Sequence, residues 1–283
     1  MTIAALFSSG LAVICILFRQ VILRLFFGAV EPAVMEAALT YFLVTACSFP
    51  FLGIYNAAAA QFRAMGRTNV TMYVSLLMNA INIVGDFVGV SILRTGVLGV
   101  AVPPLISRTT AAVLLSALAF RSGNQVRLYW GNILAWSRED VTCILHVGIP
   151  GGIENGLFAL GRVIVTSIVS HFGTIQIAAN GVANSIDQIA IIVVNAMNLA
   201  VITVVGQCVG AKEYDQAEQY TKEMMKISYG FTTALGIVVC LALPLLLRLY
   251  DLEPATLHLA ALLINMHNAL AALLHPTSFN LAN

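Results

Sequence analysis

Long apolar runs constrain this sequence more than any other feature. Eight can be traced, at Ile3–Phe27, Ala33–Phe62, Thr71–Leu93, Leu98–Phe120, Val141–Ser170, Ile177–Val209, Ile227–Leu249 and Ala255–His275. About 20 apolar residues suffice to cross a bilayer as a helix. In lipid every backbone polar group must be satisfied inside its own segment, which leaves helices as the fold for such runs. Charged residues make up 10% of the chain and the mean hydropathy is +0.91, whereas soluble domains carry about 25% charged residues. The expected fold class is an all-α polytopic membrane protein with about eight transmembrane helices. The first run lacks a basic leader, is too long for a signal peptide and carries Arg19 and Arg24, so it is expected to be a membrane helix.

Basic residues give the orientation. The connections after runs two, four and six carry Arg63, Arg67, Arg121, Arg127, Arg138, Lys212, Lys222 and Lys226. The opposite side carries only Arg24, Arg94 and Arg248, at helix ends. The positive-inside rule places the first group, and with it the N-terminus, in the cytoplasm of a multi-pass plasma-membrane protein. Lys212–Lys226 mixes both charge signs with apolar residues and is expected to form a short amphipathic surface helix. The net charge of +1 gives no reason for a nucleic-acid partner. Five singly placed cysteines (Cys15, Cys47, Cys143, Cys208 and Cys240) show no metal-ligand spacing and read as small core residues.

An internal repeat divides the chain. Leu23–Ala33 resembles Leu247–Ala255, and the shared Glu-Pro-Ala cores lie 222 positions apart. An even number of helix starts separates them, so the repeat is parallel, with halves related by an axis along the membrane normal. The expected lobes are residues 1–135 and 136–283 of a twelve-helix, two-lobe bundle. The first two and last two helices would then lie outside the chain, and a partner chain is one way to supply them.

Polar residues at membrane depth mark the candidate sites. Gly148-Ile149-Pro150-Gly151-Gly152-Ile153 precedes Glu154. Pro150 cannot donate a backbone hydrogen bond, and the glycines admit close neighbours, so Pro150, Gly151 and Gly152 are expected to break or hinge the helix. Glu154 is either a packing acid or a group on an ion or substrate path, and intramembrane acids favour the path. Asn79, Asn82 and Asp86 advance by three and four, on one helical face. Asn180, Asn184 and Asp187 repeat the pattern, followed by Asn195 and Asn198. Both stripes either hydrogen-bond between helices or line an aqueous cavity. The five histidines form no cluster in sequence and read as packing or helix-end residues. No enzyme or nucleotide-binding motif occurs, so uphill movement of a solute would draw on an ion gradient.

Three segments carry a family resemblance. They are Phe62-Arg63-Ala64-Met65-Gly66-Arg67-Thr68 followed by Asn79, Asn82 and Asp86; Gly148-Ile149-Pro150 with Glu154; and Val205-Gly206-Gln207-Cys208-Val209-Gly210-Ala211. In this order and spacing the chain resembles the bacterial MATE family of multidrug and toxic-compound extruders, NorM-like, over essentially its whole length. The resemblance implies two six-helix lobes around a cleft. It implies export of drugs or other amphipathic organic compounds in exchange for Na+ or H+, with no other cofactor. It also implies that Glu154 holds the coupling cation at the start of the second lobe. Other acids of that family would fall outside this 283-residue chain. A lipid-linked precursor flippase of the same superfamily is the alternative. Such flippases line the cleft with cationic residues, for which only Arg19, Arg108 and Arg162 are mid-helix candidates. A non-transporting membrane protein is the remaining reading.

Overall fold

A computed structural model describes residues 1–27, 32–121, 131, 137–170, 172–248 and 254–280, apart from the side chains of residues 140, 170, 174, 190, 193, 248, 254, 255 and 271–280. The regular structure among them is helical. The chain divides into two compact units, Met1–Val141 and Thr142–Asn283. Unit 1 contains α1 (Thr2–Leu17), α2 (Arg19–Phe27), α3 (Pro32–Cys47), α4 (Phe49–Ala64), α5 (Thr68–Phe87), a π-helical turn (Val88–Ile92) and α6 (Val97–Ala119). The chain enters unit 2 within α7 (Arg138–Ser170) and continues through α8 (Thr174–Gly210), α9 (Tyr214–Arg248) and α10 (Pro254–Asn280). Among the described residues six helices are long and apolar enough to cross a membrane, or seven if the bent α1–α2 pair counts as one span. Side chains of the expected eighth, α10, are described only to Leu270.

Five local expectations are corrected. The first apolar run is two helices that meet at 73°. The bend falls at Phe18, immediately before Arg19, and turns the arginine-bearing α2 away from the uncharged α1. The second run is interrupted at Ser48. Pro50 leaves the Ala46 carbonyl without its helical donor, and the Ser48 N–H bonds to Thr45 O at 3.0 Å, a tighter turn. Lys212–Lys226 is not a separate surface helix. Its residues from Tyr214 onward form the first turns of the 35-residue α9, because no glycine or proline stands between them and Gly230. Pro150, Gly151 and Gly152 do not interrupt α7, which is one helix of 33 residues. A proline removes a single hydrogen bond, and the helix on both sides keeps the rest. The cysteines are all free, and Cys47, Cys143 and Cys240 are exposed rather than in the core.

Small residues set how closely the helices pack. In unit 1 the core is Ala58, Ala59 and Phe62 of α4, Val74 of α5, and Ala111, Leu115 and Ala119 of α6. In unit 2 it is Ala179, Val182, Ala183 and Ile186 of α8, Val239 and Leu243 of α9, and Ala260 and Ile264 of α10. Alanine at such seams lets backbones approach where the hydrophobic effect cannot drive association. The tightest seam joins the end of α5 to the start of α6. A Cβ on Gly99 would lie 2.7 Å from the Gly89 carbonyl, and one on Gly85 would lie 2.7 Å from Pro103 Cβ. Only glycine fits there. Gly66, at φ 71°, closes α4 in the left-handed region. With it the Arg67 N–H reaches Phe62 O at 2.9 Å, a helix-end motif that favours glycine. Pro32 and Pro254 open α3 and α10, where a missing N–H costs nothing. Their neighbours Glu31 and Glu253 lie outside the described residues.

Gly89→Ala is expected to force α5 and α6 apart at a cost of about 1–3 kcal/mol. Gly148→Ala, with nothing within 4 Å of its would-be Cβ, should be near neutral. Thermal unfolding of both variants in detergent checks the difference.

Candidate functional site: polar groups at membrane depth

In unit 1 the α5 stripe ends in an unfinished site. Asn79 is exposed, whereas Asn82 and Asp86 are half-buried. They stand one turn apart, next to the Gly85–Pro103 contact. The Oδ1 atoms of Asn82 and Asp86 are both buried and accept no hydrogen bond. Leaving such an acceptor unsatisfied costs about 1–3 kcal/mol. The π-helical turn Val88–Ile92 starts two residues after Asp86. Segments of this kind recur at functional sites, because they re-aim side chains at a cost in backbone regularity.

Arg108 on α6 is held by a hydroxyl rather than by an opposite charge. Its Nη1 donates to Ser48 Oγ at 2.6 Å, and Ser48 Oγ donates to Thr45 O at 2.7 Å. Ser48 is fully buried. The guanidinium therefore ties α6 to the irregular turn between α3 and α4. No signal in sequence joined the two residues, which lie 60 positions apart.

In unit 2 Asn180, Asn184 and Asp187 share the half-buried face of α8, Asn198 is half-buried and Asn195 is exposed. Asp187 Oδ2 lies 3.9 Å from His267 Nδ1 of α10. His267 is thus not an isolated packing histidine, and sequence reasoning missed it because its partner is 80 positions away. Beyond the pair, Asn268 Nδ2 donates to Cys240 Sγ at 3.7 Å, and Cys240 Sγ approaches Asn265 Oδ1 at 3.5 Å. Ser228 and Thr232 of α9 are buried with unpaired hydroxyls.

Glu154 is half-buried on α7, a helix with no fully buried residue among those described. Its neighbour Asn155 donates from Nδ2 to Gly151 O at 2.8 Å. Arg162 is exposed. Within unit 2 the structure pairs Asp187 with His267, not with Glu154. Among the described residues no three metal-ligating side chains come together.

Long apolar helices with carboxylates and amides on their faces define a polytopic helical membrane protein. Comparison with known proteins narrows the class. The MatE family model matches residues 1–88 and 150–274, well over half of the chain. The chain belongs to the MatE family. It is 28% identical over 272 residues to the probable multidrug resistance protein YoeA of Bacillus subtilis, covering 92% of this chain and 57% of that protein. It is 24% identical over 240 residues to the probable multidrug resistance protein NorM of Thermotoga maritima, covering 83% and 50%. Its fold matches a MOP superfamily transporter from Pyrococcus furiosus with a TM-score of 0.85 at 21% identity, covering 98% of this chain and 64% of that one. The chain thus spans about half to three-fifths of the length of these curated relatives.

Ser48→Ala is expected to strand the Arg108 guanidinium and to destabilise unit 1 by about 1.5–3 kcal/mol, the range for a hydrogen bond to a charged group. A fall in detergent melting temperature in Ser48→Ala, absent when Arg108→Met is already in place, checks the coupling.

Proposed function

We propose that this chain serves cation-coupled export of drugs or other amphipathic organic compounds across the plasma membrane, with Na+ or H+ as the exchanged ion and the N-terminus cytoplasmic. The observation that carries the reading is the pair of orphaned oxygens on Asn82 and Asp86. Two acceptors one turn apart, withheld from water and given no protein donor, fit a site that a cation completes. Sodium takes oxygen ligands, as hard cations do. A proton on Asp86 would supply the missing donor equally well.

Glu154 contributes a second exchangeable negative charge. A carboxylate that binds either the coupling ion or a cationic solute, but not both, links the two fluxes by competition. Asn79 supplies an amide on the Asp86 face of α5 in unit 1, and Asn180 and Asn184 supply amides on the Asp187 face of α8 in unit 2. The family relatives support the export reading, since YoeA and NorM are described as multidrug resistance proteins. The flippase alternative needs cationic side chains free to hold a phosphate. Of the three mid-helix arginines, Arg108 commits one N–H to Ser48, and Arg162 is exposed on α7.

Asp86→Asn and Glu154→Gln should each cut ion-driven export of a fluorescent organic cation from cells at least about tenfold, an effect of about 1.4 kcal/mol or more, with the amount of protein in the membrane unchanged. Export by both variants at the parent rate, or no export by the parent chain, overturns the reading.

A further inference from the structure

We propose that Asp187 and His267 form a proton site in unit 2 that holds one proton between carboxylate and imidazole and discriminates against alkali cations. The geometry brings the two groups to 3.9 Å, just beyond a hydrogen bond. His267 Nδ1 is buried and has no hydrogen-bond partner. The Asp187 side chain is 17% exposed and the His267 side chain 44%, so the ring is open on the side away from Nδ1. Both sit at the edge of the apolar core of unit 2. Ile186 precedes Asp187 and is buried, and Ile264 lies one turn before His267 and is buried. A carboxylate and a shielded ring nitrogen that face each other across that edge lack one thing, a proton between them.

The surrounding elements do not supply a competing charge. On α10 the other histidine with a described side chain is His258, nine residues earlier and exposed. On α9 the ionisable group at this level is Cys240, which interacts with Asn265 and Asn268. Among α9 residues with described side chains the charged ones, Asp215 to Lys226, lie fourteen or more residues from Cys240, and Arg248 closes the helix eight residues beyond it, about 20 Å and about 12 Å along the axis. On α8 Asp187 is the one acid, and no lysine or arginine occurs there.

The chemistry selects the ion. Neutral imidazole and carboxylate take up one H+, the net charge goes from −1 to 0, and the bond formed is N–H. The charge-assisted contact then tightens toward about 2.8 Å, which draws α8 and α10 together. Na+ prefers several hard oxygen ligands, and an imidazole nitrogen in place of one of them weakens such a site. Zinc would need more ligands than this pair offers. The role of this proton in coupling rests on the exporter reading above; the existence of the site does not.

The test uses the full chain, labelled with 15N-histidine, in lipid nanodiscs. At about pH 6, within the usual range of imidazole protonation, a strongly downfield ring N–H signal is expected. It should vanish in His267→Gln and in Asp187→Asn, return in Asp187→Glu, persist in Glu154→Gln and survive a large excess of NaCl. A signal retained in Asp187→Asn, or one removed by Na+, overturns the proposal. In a parallel arm, pH-driven export should fall at least about tenfold in Asp187→Asn and His267→Gln. The NMR arm decides the site even if the parent chain exports nothing, and equal export by the variants and an active parent removes its role in coupling.

Discussion

The absence of water at membrane depth governs this protein. A helix in lipid satisfies its own backbone, so each polar side chain on it must find a partner in a neighbouring helix or remain unpaired at a cost. Many of the serines and threonines meet the demand locally, as Thr109 does on Leu105 O at 2.7 Å and Thr203 does on Leu199 O at 2.8 Å. Arg108 meets it by reaching the Ser48 hydroxyl. Among the described residues six side chains keep a buried atom without a hydrogen bond: Thr45, Asn82, Asp86, Ser228, Thr232 and His267. Asn82, Asp86 and His267 are set apart from the three hydroxyls by standing on, or within a turn or a contact of, an intramembrane acid.

Among its described residues unit 1 carries three helix irregularities. The 73° bend falls at Phe18, the π-helical turn follows Asp86, and the break at Ser48 receives Arg108. The last two are held by close interhelical contacts, Gly89 on Gly99 and the guanidinium on Ser48. Unit 2 achieves its polar layer differently. There α8, α9 and α10 are uninterrupted helices, and the polar groups meet at the edge of an alanine- and valine-rich core.

Much of this was legible in sequence. The apolar runs fixed the helical class, and spacings of three and four put Asn82 with Asp86, and Asn184 with Asp187, on single faces. The prolines of the repeat marked two helix starts, at Pro32 and Pro254. What failed were inferences that treated proline as a break in itself. Pro150 leaves α7 continuous, whereas Pro50 accompanies a real interruption at Ser48, where a buried hydroxyl and an arginine stabilise the turn. The sequence also hid the Asp187–His267 contact, since periodicity describes one helix and says nothing about which residues of another helix come opposite. Arg19 and Arg24 were read as part of one span because composition alone does not reveal a 73° bend.

The central claim is that Asn82 and Asp86 present their oxygens to a cation. Direct binding of radioactive Na+ to the purified chain in nanodiscs, with and without acidification, tests it without any need for transport. Saturable binding that is displaced by protons, and lost in Asp86→Asn and Asn82→Ala while the fold is retained, is the predicted result. Equal saturable binding by the parent and both variants, or a parent that binds neither Na+ nor protons at Asp86, would contradict it.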